Sequence, residues 1–179
     1  MRIRTLALAA ALAVAAPLSA QSLMGDMHSD VNEVQRKLVD LAKAIPQSSY
    51  DWRPGPGVRS VGEVFLHVAT DNYLIPSMMG TPAPASTKID PADMKSVEAF
   101  EKQKLTKDQI IAALEASFVH LHKAMGTTTD ANLGEKINFF GQEWTRQKAM
   151  VLTVTHLHEH LGQSIAYART NNVVPPWSR

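Results

Sequence analysis

Residues 24–46 read MGDMHSDVNEVQRKLVDLAKAIP, and their reading decides the fold. Met24, Met27, Val31, Val34, Leu38, Leu41 and Ile45 step by three and four residues. That spacing puts them on one face of an amphipathic helix, a stripe that exists to be packed. Pro46 ends the helix.

The helices that cover this stripe are announced downstream. Trp52, Arg53, Pro54, Gly55, Pro56 and Gly57 form a loop, because alternating Pro and Gly support no helix interior. Ser60 followed by Glu63 is a capping box that starts a second helix. Val61, Val64, Phe65, Val68 and Ile75 continue it until Gly80 and Pro82. Residues 80–91, rich in Pro, Ala, Ser and Thr, read as a connector. Asp90 and Pro91 predict the cap of a short helix reaching about Lys102. Thr106 and Gln109 make another capping box, and Ile110, Leu114, Phe118, Leu121 and Met125 mark a third long helix capped by Gly126. Residues 127–144 lack a clear period and read as an irregular loop holding at most a short extended piece. Thr145 caps a last helix running to about Asn171; Pro175 and Pro176 end the fold, with Trp177 free to pack back.

The expectation is an all-α four-helix bundle with a long crossover between helices two and three, and no sheet. No repeat of 20–50 residues is present. A length of 179 residues suits one domain. Residues 21–179 are assigned to it.

Residues 1–20 read as an export signal. Arg2 and Arg4 form the positive region, Leu6 to Ala16 the apolar run, and Ala20 the cleavage position. The apolar run is shorter than the ~20 residues that span a bilayer, so no stable membrane insertion is expected after cleavage. Cleavage lowers Lys+Arg from 18 to 16 against 17 Asp+Glu, a net charge of −1. No basic run remains, which argues against nucleic acid as a partner. The expected location is secreted or periplasmic. Cysteine is absent, so the chain has neither disulfide nor thiolate, and a metal site must use His, Asp or Glu.

The seven histidines are the informative feature. His156 and His160 lie four apart on the last helix, one turn above the other on one face. Alone, such a pair is weak, because surface and core histidines share that spacing. His67 adds weight. It sits inside the apolar run Val64, Phe65, Leu66, Val68, Ala69, and burying unrelated histidines is costly. One shared metal removes that cost. Three nitrogen ligands leave a coordination position open, the form of catalytic sites. His158 faces away, His120 and His122 read as surface or boundary residues, and His28 as exposed.

Residues Trp52, Pro54, Ser60, Val61, Glu63 and His67, with the stretch His156 to Gln163 and the tail Asn172 to Trp177, resemble the DinB-like (damage-inducible, YfiT-related) family of bacterial bundle proteins. The resemblance covers about residues 28–178. It implies an up-up-down-down bundle, a divalent metal (zinc or nickel) at His67, His156 and His160, and a homodimer. Some members of that family are thiol-dependent transferases or isomerases. The export signal argues against that cosubstrate in an oxidising compartment.

Two functions follow as expectations. One is a metal-dependent hydrolase or transferase acting on a small molecule at the open position. The other is a non-catalytic metal- or ligand-binding protein of the cell envelope. Asp71, one turn after His67, and Gln163, three after His160, are the weak candidates for an orienting or catalytic role. Glu159 points elsewhere, and Glu63 is accounted for by its cap.

Overall fold

The computed structural model describes residues 22–178, so the export signal read at residues 1–20 lies outside the described residues. The described residues contain five α-helices and one hairpin: α1 (Leu23–Ala44), α2 (Val61–Met78), α3 (Met94–Glu101), α4 (Lys107–Met125), β1 (Lys136–Phe139), β2 (Gln142–Thr145) and α5 (Arg146–Thr170). The long helices α1, α2, α4 and α5 form the bundle, and α3 lies in the crossover. No helix among the described residues is long and apolar enough to cross a membrane.

The local signals behave as the sequence reads. All seven stripe residues of α1 are buried. The Ser60–Glu63 and Thr106–Gln109 capping boxes are both closed. Thr145 caps α5, its hydroxyl accepting from Lys148 N. Trp177 packs against the core beneath Lys37, whose Nζ is 5.9 Å from its ring centre. The short crossover helix begins later than expected. Its cap is Asp93, while Asp90 closes the turn before it by accepting from Ala92 N.

Helix directions follow from cross-links. Lys43 pairs with Glu115 and Gln35 with His122, so α1 and α4 run antiparallel. Gly62 lies against Ile110 and Asn72 bonds Ser117, so α2 and α4 run the same way. Arg146 Nη1 donates to Met79 O at the start of α5, which then returns past His67, antiparallel to α2. The order is therefore up-down-down-up, and the up-up-down-down order implied by the resemblance is corrected. The cause lies in residues 45–60. Tyr50 donates its hydroxyl to Ala42 O, and Gly62 N donates to Tyr50 O. This clamp starts α2 beside the end of α1, so α2 must run back. Gly62 is small for a reason, since a Cβ there would sit 3.0 Å from Ile110 Cδ1. Because α2 and α4 point the same way, the chain between them must return along the bundle, about 27 Å for an 18-residue helix. That is why the crossover is long.

The expectation of no sheet is also corrected. β1 and β2 pair antiparallel, from Lys136 opposite Thr145 to Phe139 opposite Gln142. Phe140 and Gly141 turn between them at φ 50° and 78°, the two positive values a tight hairpin turn requires. Phe139 stacks on Trp144 with ring centres 4.2 Å apart and is buried against the bundle, which holds this small ribbon in place.

Candidate metal centre

Two antiparallel helices build the site. α2 brings His67 and, one turn later, Asp71. α5 brings His156 and His160. One ring nitrogen of each histidine lies within 4.8 Å of the others, so the three can hold a metal ion. The Nε2 atoms of His156 and His160 are 3.0 Å apart. Asp71 Oδ2 lies 3.4 Å from His67 Nε2 and 3.2 Å from His156 Nε2. Of the weak candidates, Asp71 is thus at the centre of the cluster.

The outer nitrogens of His67 and His160 are occupied. His67 Nδ1 is 2.6 Å from Glu101 Oε1. His160 Nδ1 is 2.8 Å from Gln163 Oε1, and Gln163 Nε2 donates to the Tyr167 hydroxyl at 3.0 Å. Gln163 therefore acts along its own helix rather than between helices. Both outer partners are oxygens, acceptors suited to a ring N–H at Nδ1. The donor set, three imidazoles with no sulfur, suits a divalent metal ion.

Electrostatics agree with the geometry. Burial lowers His156 to about 4, helped by the neighbouring His160 and His67, and burial also lowers His160. Rings kept neutral near pH 7 are ready ligands. Burial raises Asp71 to about 6. Burial also pushes Glu101 up, but hydrogen bonds and charge from His67 and Arg59 outweigh it and hold the carboxyl below its ordinary value.

Elsewhere the histidines divide. His158 faces out and pairs with Asp30 at 2.8 Å. Glu159 is exposed, and Glu63 serves its cap while pairing with Arg53. His28 is half-buried rather than exposed. His120 is buried rather than at the surface, and His122 is half-buried. Opposite flanks of α4 each meet a neighbour: His120 lies 5.2 Å from the Tyr73 ring of α2, and His122 bonds Gln35 of α1. Sequence reasoning missed Glu101 and its partner Arg59. The only available hint was an acid at the end of a short helix that must cross α2. A cavity of about 520 Å³ adjoins this pair, lined by Arg53, Arg59, Met94, Glu98, Glu101 and Lys102 among others, and none of the three histidines lines it.

The sequence model of the DinB superfamily matches residues 31–164. The chain belongs to the DinB superfamily. Solved DinB-like structures share its fold. A DinB-like protein from Bacillus cereus is 16% identical, with TM-score 0.71 over 87% of this chain and 97% of that one. YfiT from Bacillus subtilis, described as a probable metal-dependent hydrolase with an unusual four-helix bundle topology, is 20% identical, with TM-score 0.66 over 89% and 94%. A mycothiol-dependent maleylpyruvate isomerase is 12% identical, with TM-score 0.60 over 77% of this chain and 59% of its own longer chain. At these identities the likeness carries the bundle, not the chemistry. No curated protein matches the chain.

Proposed function

We propose that this DinB-superfamily chain is a metal-dependent hydrolase or transferase that acts outside the cytoplasm on a small molecule. The observation that carries the reading is the convergence of His67, His156 and His160 across the α2–α5 seam, with Asp71 against two of their nitrogens. The description of YfiT as metal-dependent points the same way. His67, His156 and His160 are the proposed ligands of a zinc or nickel ion. Such an ion, when bound, supplies Lewis acidity to a water or a substrate oxygen.

The chain's own residues do the rest. Asp71 Oδ2 faces the nitrogens, so a proton released by a water or a substrate hydroxyl there has an acceptor at that atom. Glu101 and Gln163 hold two of the rings from outside. The signal-like residues 1–20 support a secreted or periplasmic location. The proposed partners are a small-molecule substrate and a second copy of the chain.

The test is activity of chelated protein reloaded with zinc or nickel, screened against ester, amide and phosphoester substrates. Turnover should require the metal. It should fall by ~10²–10⁴-fold in Asp71→Asn at unchanged metal content. Turnover that survives chelation would contradict the reading. Stoichiometric metal with no turnover on any class would favour the non-catalytic binding protein instead.

A further inference from the structure

His67 is held by a carboxylate that comes from outside the four-helix bundle. Glu101 is the last residue of α3, in the crossover, and its Oε1 lies 2.6 Å from His67 Nδ1. Its other oxygen is occupied by Arg59, whose Nη2 and Nε donate at 3.0 and 3.3 Å. Arg59 directly precedes Ser60, the cap of α2. The three side chains therefore form a chain of contacts from the start of α2, through α3, and back to the middle of α2. α3 is seated by its own apolar cluster, in which Val97 packs with Leu74 and Ile89 while the Phe100 ring lies 6.0 Å from that of Tyr73.

We propose that Glu101, held by Arg59, is the positioning residue of the site: it fixes the ring and tautomer of His67 so that Nε2 offers its lone pair toward His156 and His160. The proposal rests on the metal-binding reading above. A neutral imidazole has one N–H, and an ionised carboxylate can only accept. Carboxylates face both ring nitrogens, Glu101 Oε1 at 2.6 Å from Nδ1 and Asp71 Oδ2 at 3.4 Å from Nε2, and the shorter contact takes the proton, which leaves the lone pair on Nε2. Nε2 is the nitrogen that faces Asp71 and the α5 histidines. Arg59 occupies Oε2, which leaves Oε1 to the ring. Carboxylates in this role orient a ligand and raise its basicity, and their loss weakens metal binding by roughly 10–100-fold. His160 receives its orientation from Gln163 on its own helix. His67 receives it from the crossover, so a complete site needs α3 docked.

The experiment compares full-length wild type with Glu101→Ala, Glu101→Gln and Arg59→Met. Zinc affinity is measured by competition with a chromophoric chelator. The tautomer of His67 in zinc-free protein is read from the ring ¹⁵N–¹H couplings. Glu101→Ala should bind zinc ~10–100-fold more weakly. Glu101→Gln keeps an acceptor for Nδ1 and should recover most of that loss. Arg59→Met should lose less than Glu101→Ala. His67 should be the Nδ1–H tautomer in wild type and Glu101→Gln, and a mixture in Glu101→Ala; a merely structural role would not move this readout. Zinc affinity in Glu101→Ala within about twofold of wild type, against the loss expected for such a carboxylate, overturns the proposal. So does an Nε2–H tautomer of His67 in wild type. If wild type takes up no zinc, the metal reading fails by itself. The tautomer then decides: Nδ1–H in wild type and mixed in Glu101→Ala upholds the positioning role, and any other pattern ends it.

Discussion

Helix α2 is buried along two seams that use burial in opposite ways. Toward α4, Gly62 meets Ile110, Asn72 bonds Ser117, and Leu114 and Phe118 are fully buried. This seam is mostly carbon, with His120 buried beside the Tyr73 ring. Toward α5, His67 and Asp71 meet His156 and His160. There the enclosed groups are imidazoles and a carboxylate whose mutual hydrogen bonds only partly offset their lost hydration. The comparison teaches that helical spacing reports burial but not its purpose. Purpose is shown by whether the buried polar atoms converge.

Three variants test this contrast. The largest expected effect lies in the carbon seam. Phe118→Ala should cost ~3–5 kcal/mol in urea unfolding, because it opens a cavity at a fully buried ring, while the folded fraction still binds metal stoichiometrically. In the polar seam, His156→Leu should abolish stoichiometric metal. It should cost chelated protein less stability than Phe118→Ala, about 1–3 kcal/mol, because the Leu fills the volume but Asp71 and His160 each lose a partner. A loss as large as that of Phe118→Ala would erase the distinction between the seams.

The smallest effect concerns pH. Burial lowers His120 from its ordinary 6.5, and its Nε2 has no hydrogen-bond partner. Below 6.5 the unfolded chain takes up a proton before the folded one does, so this group's contribution is fully present above 6.5 and declines as pH falls toward its lowered folded value. His120→Leu should make stability fall less steeply between about pH 7 and 5, as read by urea midpoints in chelator. An unchanged slope would show that this ring is not held neutral.

Much of this molecule is legible in the sequence because helical period and caps are local. The α1 stripe, the Ser60 and Thr106 capping boxes, and the i,i+4 pair His156 and His160 need no knowledge of neighbours. His67 is legible because an apolar run surrounds it. What stays hidden depends on chain path. The up-down-down-up order comes from the Tyr50 clamp, which no periodicity encodes. Glu101 reaches His67 from a sequence separation of 34, and spacing carries no information over that distance. The hairpin is hidden because its strands have four residues each and its turn places Phe140 at positive φ, a conformation its side chain does not advertise. The burial of His120 is hidden because two histidines two apart suggest one inward and one outward ring, whereas α4 meets a neighbour on both flanks.

The central claim is that the α2–α5 seam is a metal site. Its most direct test is elemental analysis of untagged protein beside His160→Ala, after incubation with divalent ions and dialysis. The account predicts about one zinc or nickel ion per wild-type chain, by the open three-ligand form of catalytic sites, and none in the variant. Wild-type protein without metal, or a variant that keeps it, would contradict the account and return the three histidines to the core as polar residues.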